Sequence, residues 1–170
     1  MIDSPPPAGS KRRPMRMREK LVLRVTSKAL IPFILLFALY VQFHGDFGPG
    51  GGFQAGVIFS AGLVLYGVIF GLTSVEKVVT PRVVEMGVAL GVFLYGGVGV
   101  ACLVLGTGRA GVGNFLDFNS LDPDSGAGIS AMGQHMGILL VEFGVGVTVA
   151  SSMLAIFYMF AGRGLPEDES

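Results

Sequence analysis

The chain has 170 residues, of which 51% are hydrophobic and 14% charged, and twelve Lys and Arg balance twelve Asp and Glu. That composition argues against an ordinary soluble domain and for a small integral membrane protein. The single cysteine, Cys102, excludes an intrachain disulfide, and the one basic block lies beside an apolar run, where lipid headgroups explain it better than nucleic acid does.

Residues 1–14 begin "MIDSPPPAGS" and read as a mobile tail. A basic segment follows over 15–28, in which Leu21, Val22 and Val25 share one helical face while Arg16, Lys20, Arg24 and Lys28 supply charge. Residues 1–28 hold eight of the twelve Lys and Arg, so this segment is expected to lie as an interfacial helix on anionic lipid. No cleaved signal peptide is expected, because the basic region is long and no small-x-small site follows "FILLFALYVQF".

Four apolar runs come next, Leu30–Phe43, Phe53–Leu72, Val83–Gly106 and Gly133–Ala161. Each approaches or exceeds the ~20 residues that cross a bilayer as helix, and the first does so only if its helix starts upstream, through Val25. The expected fold is all-α: a four-helix membrane domain over 29–162, with spans near 29–43, 53–72, 83–106 and 133–161, then an acidic tail over 163–170. The loop after the first run carries no Lys or Arg, whereas the second loop carries Lys77 and Arg82. The positive-inside rule then puts both termini in the cytoplasm. Lys28 and Glu85 fall near the cytoplasmic edge and read as boundary residues that snorkel to water.

Glycine supplies 27 residues, many inside the apolar runs. The pairs Gly52/Gly56, Gly67/Gly71, Gly87/Gly91 and Gly133/Gly137 each recur at four-residue spacing, which puts both members on one helix face and suits close packing in lipid. "TPRVVE" starts the third span, with Thr80 as cap and Pro81 at the first helical position. In the long outer loop, "NFLDFNSL" is expected as a short helix or extended piece on the membrane surface. "DPDSG" lacks the later acidic ligands of a calcium loop, so no metal is expected there.

Few residues carry chemistry. Glu142 lies nine residues into a helix begun near Gly133, ~13 Å along its axis and so deep in the bilayer. An ionised carboxylate at such depth costs at least a few kcal/mol. It must face protein or water, and it serves either as a protonatable or cation-binding group or as a neutral acid bonded across a helix interface. His135, seven residues earlier, shares its face and extends a route outward. His44 and Asp46 close the first span, where an imidazole and a carboxylate can share a proton or receive a cation. Ordinary solvated loop polarity explains them equally.

Between the first two spans lies "GPGGGF". It is no nucleotide loop, since neither Lys-Ser/Thr nor a preceding strand accompanies it. Pro49, Gly50, Gly51, Gly52 and Phe53 instead read as a tight junction shaped for packing or as part of an ion path. No nucleophile with a base, metal cluster or cofactor motif occurs, so neither an enzyme nor a bound cofactor is expected.

"HGDFGPGGGFQAGVIFSAGLVLYG" and "GQHMGILLVEFGVGVTVASSMLAIFYMF" resemble the B subunit of multisubunit Na+/H+ antiporters of the Mrp or Mnh type, over about Lys28 to Gly162. The resemblance implies a plasma-membrane subunit that works among several other membrane subunits in exchanging Na+ for H+ on the proton gradient. It also implies site roles for Pro49, Gly50, Gly51, Gly52 and Phe53, with His44 and Glu142 as polar positions and Na+ as a transient ligand near Glu142. Here "FHGD" stands where Arg-Gly-His order is common in the family, which weakens the assignment of His44. Related subunits occur in membrane-bound hydrogenases. Two other readings stay open at this point: a purely structural subunit of such an assembly, and a homodimeric small-cation exporter.

Overall fold

The computed structural model describes residues 21–45, 50–110, 113–121 and 131–162, and all regular structure among them is helical. Helix α1 spans Leu21–His44, α2 Gly52–Phe70, α3 Leu72–Val78, α4 Pro81–Ala110 and α5 Ala131–Gly162, with one 3-10 turn at Phe118–Leu121. Four of these helices, all but α3, are long and apolar enough to cross a membrane. The short first run gains its length upstream: α1 begins at Leu21 and continues without a break to His44. Residues 21–28 of the basic segment therefore form one helix with the span. Pro32 inside α1 removes one backbone hydrogen bond, a loss that membrane helices tolerate when neighbours re-satisfy the freed carbonyl.

The helices stand in a row. α1 packs on α2, α2 on α5 and α5 on α4, while α1 meets α5 only lightly. Glycine explains the closeness at both α5 seams. A Cβ added at Gly56 would lie 2.6 Å from the Gly146 carbonyl oxygen, and one at Gly91 would lie 2.6 Å from that of Gly144. Gly52/Gly56 and Gly87/Gly91 are thus contact faces, as their spacing predicts.

Gly67/Gly71 behaves differently. Gly67 makes room for the Phe157 ring, whereas Gly71 adopts φ 96°, ψ 155° and breaks the chain between α2 and α3. That backbone region belongs almost wholly to glycine, so the expected single span from Phe53 to Leu72 ends at Phe70.

Below this bend, Leu63, Val75, Val84 and Leu154 form a buried cluster that draws α4 toward α2. Ile31, Ile69 and Phe70 form a second one, with the Arg24 guanidinium 5.5 Å from the Phe70 ring centroid. The Tyr158 hydroxyl donates to the Val79 carbonyl at 2.7 Å, tying the end of α5 to the link between α3 and α4.

At the opposite end, residues 113–121 fold down against the flanks of α4 and α5. The Phe115 ring sits at Gly99, Phe118 at Gly137, and Gln134 donates to Asn119 Oδ1 at 3.2 Å. The short helix expected in this loop is a four-residue 3-10 turn, with Phe115 and Phe118 set against glycines of α4 and α5. Phe33, Phe37, Phe93 and Phe160 point outward and are mostly exposed, a surface that hydrocarbon solvates and water does not.

Candidate functional site

The site forms where the α1–α2 corner meets α5. α1 ends at His44, the chain turns through Gly45, and Gly50 and Gly51 lead non-helically into α2. Gly51 has φ 124° and ψ 171°, a conformation that a side chain would strain. Glu142 enters the space left by the missing side chains. A Cβ on Gly45 would lie 2.7 Å from Glu142 Oε2, and one on Gly51 would lie 3.2 Å from Oε1. A Cβ on Gly52 would overlap the Glu142 carbonyl oxygen. The glycine corner is therefore a cradle for the Glu142 carboxyl, with its main chain resting on Gly52.

One turn farther along α5, Gly146 lies close to Gln42: a Cβ there would stand 2.5 Å from Gln42 Oε1 and 3.2 Å from the Gly52 carbonyl oxygen. Gly50 packs on the Val41 carbonyl oxygen, 2.9 Å from its would-be Cβ. Oxygen atoms of Glu142, Gln42, Gly52 and Val41 thus gather at one corner where two helix ends and a third helix meet. Anionic and carbonyl oxygens of this type suit a proton or a hard monovalent cation rather than a soft metal.

Depth follows from helix register. Gly144 packs between Gly91 and Tyr95 of the antiparallel α4, which puts Glu142 level with about Tyr95–Gly97. Between Glu85 and Arg109, α4 carries no charge over ~33 Å, and Glu142 stands near the middle of that stretch.

Residues 22–155 match the family model described as "Domain related to MnhB subunit of Na+/H+ antiporter". The chain belongs to the MnhB family. The match covers α1 from its second residue, the glycine corner and α5 past Glu142 and Gly146. Proteins named "Putative antiporter subunit mnhB2" from Staphylococcus aureus strains Newman and JH1 are 41% identical to it over 54 residues, 32% of this chain and 38% of theirs. The aligned stretch thus spans little more than a third of those curated relatives.

In this MnhB-family chain, Glu142, Gly50, Gly51 and Gly52, separate in sequence, come together. His44 ends α1 half-buried, its ring stacked on Tyr40 with centroids 5.2 Å apart. His135 lies two turns before Glu142 on α5 and is exposed, as is Phe53 at 64%. Asp46 and Pro49 lie outside the described residues.

Gly45, Gln42 and Gly146 were not singled out by sequence reasoning. Two signals pointed to the last two: Gln42 is the one amide in an otherwise apolar run, and Glu142/Gly146 repeats the four-residue spacing of Gly52/Gly56.

Proposed function

We propose that the protein is a plasma-membrane subunit of a multisubunit Na+/H+ antiporter, with both termini cytoplasmic, and that Glu142 carries a proton or a cation at the interface with other subunits. The single observation that carries this reading is the Glu142 carboxyl held in the Gly45–Gly51 cradle at the middle of the uncharged stretch of α4. Stability alone is poorly served by an acid there, since an apolar side chain of similar size avoids the cost of burying a charge. Exchange needs a group that accepts and releases charge without leaving its place.

In this scheme the cradle fixes the carboxyl from two sides through backbone rather than side chains. Gln42 Oε1 offers a further oxygen to a passing Na+, and His135 and His44 are polar positions on the outward side, with Asp46 between the first two spans. Lys28 and Glu85 mark the cytoplasmic boundary. The protein acts as part of a secondary transporter and not as an enzyme. Family membership supports the antiporter reading, and the match to proteins named antiporter subunits supports it further.

The test is Glu142→Gln in the assembled complex, reconstituted in vesicles with an imposed proton gradient. Na+-dependent proton exchange is expected to be lost while the subunits still co-purify. Unchanged exchange with normal assembly would leave the competing reading, a structural subunit of an antiporter or hydrogenase-type assembly whose glycine seams hold its neighbours in register.

A further inference from the structure

Two oxygens meet in the notch at Gly146, one helical turn along α5 from Glu142. The point a Cβ would occupy there is 2.5 Å from Gln42 Oε1 and 3.2 Å from the Gly52 carbonyl oxygen. Any side chain at 146 would push the carboxamide away, so glycine at this position sets Gln42 against the α5 backbone. α1 otherwise meets α5 only lightly. Gln42 is half-buried in an apolar helix, where a methionine fills the same volume without the cost of withdrawing an amide from water. Packing alone therefore gives no reason for the amide.

The carboxamide is also within reach of a mobile ligand. Gln42 and Gly146 line one end of a groove of ≈ 380 Å³ that extends along α5 to Ser151 and Leu154. The Glu142 cradle begins one turn beyond that end.

The chemistry of the two exchanged ions separates what carboxylate and amide can do. A proton needs one basic oxygen, and a carboxylate supplies it. A hard monovalent cation is held by several oxygens at once, neutral amide and main-chain carbonyls among them. An amide oxygen accepts hydrogen bonds and ligates cations, but its group does not titrate near neutral pH. An amide beside a carboxylate thus favours the metal ion over the proton in their competition for one site.

We infer, on the reading of Glu142 as an ion carrier, that Gln42 is the cation-specificity residue of that site. Its carboxamide oxygen, placed by Gly146 and flanked by the Gly52 carbonyl, raises the affinity for Na+ and gives the proton no second base.

Gln42→Met keeps side-chain length and volume and removes the oxygen. The assembled complex carrying it is reconstituted in vesicles, and initial rates of Na+-dependent proton exchange are measured over a range of Na+ at one fixed pH. The apparent KM for Na+ is expected to rise about tenfold, as loss of one polar contact to a charged group implies, with the maximal rate retained. Gln54→Met makes the same change at an amide exposed on α2 and is expected to leave that KM unchanged. Gln42→Asn keeps the amide but draws its oxygen back by one methylene; it is also expected to raise the KM, and it serves if the methionine variant does not assemble. An unchanged KM in the assembled Gln42 variants, or a lower maximal rate at unchanged KM, reduces Gln42 to packing and overturns the inference. An equal rise in Gln54→Met overturns it too. In each of these cases Glu142 stands as the carrier if Glu142→Gln abolishes exchange, whereas exchange left intact by Glu142→Gln removes carrier and specificity residue together.

Discussion

Gly51 and Gly71 share a backbone conformation and little else. Their φ angles are 124° and 96°, both with extended ψ, at opposite ends of α2. Around Gly51 the space a side chain would take is occupied by Glu142, while around Gly71 nothing stands within 4 Å. At Gly71 the glycine serves only the turn of the chain. At Gly51 it serves the turn and leaves volume for a carboxyl from another helix. The two ends of one helix thus separate a conformational requirement from a requirement for both conformation and room.

Substitutions break this comparison in graded steps. The largest effect is expected at Gly52, inside regular helix, where conformation is no obstacle and only room matters. Gly52→Ala drives a methyl into the Glu142 carbonyl oxygen and against Gly146 N at 3.0 Å, backbone atoms that cannot rotate away. Overpacking typically costs ~1–3 kcal/mol and occasionally more, and a methyl placed on backbone atoms belongs at the upper end. The expected outcome is loss of the subunit from the co-purified complex, read on a native gel.

Gly51→Ala comes next. Strain in its backbone region costs ~1–3 kcal/mol, and the methyl also presses on Oε1. Assembly should weaken, and exchange activity should fall further than assembly does. Gly71→Ala carries the same strain without the collision, so it should lower the thermal midpoint of the complex by an amount set by ~1–3 kcal/mol alone. Exchange per assembled complex should stay unchanged. A fall equal to that of Gly51→Ala would show that room around Glu142 is not what distinguishes the two sites. The smallest effect is expected for Gly96→Ala, in mid-helix with nothing within 4 Å. Ala is the better helix former by ~1 kcal/mol, so melting should be unchanged or slightly raised.

Much of the architecture was legible in residue order because hydrophobic length is a local property. Leu30–Phe43 was too short alone, and the helix did extend upstream, to Leu21. Pro81 opens α4 at the position its fixed φ favours. Spacing failed where one residue type has two physical uses. Gly67 and Gly71 fit a packing pair, yet Gly71 is a bend, and four-residue periodicity cannot report φ. The short helix expected in "NFLDFNSL" is there as a 3-10 turn, but local reading gives no packing partners for its aromatic rings. Its real partners, Gly99 and Gly137, lie in two other helices.

The site was half legible. Glu142 stood out through the cost of a charge in an apolar run, and "GPGGGF" stood out through composition. Their union depended on α5 packing beside α2, a long-range pairing that no short window contains. Residue order also placed Glu142 deep through its distance from a helix start near Gly133, whereas α5 starts at Ala131. The register against α4 gives its depth on firmer ground.

The seam between Gly52 and Glu142 is main chain against main chain. Side-chain contacts yield by switching rotamers, so they absorb small displacements before transmitting them. Two abutting peptide units have no such slack. A push on α2 from whatever borders it therefore reaches the acid as displacement of its own backbone, and a shift of that stretch of α5 is felt in return by the first turn of α2.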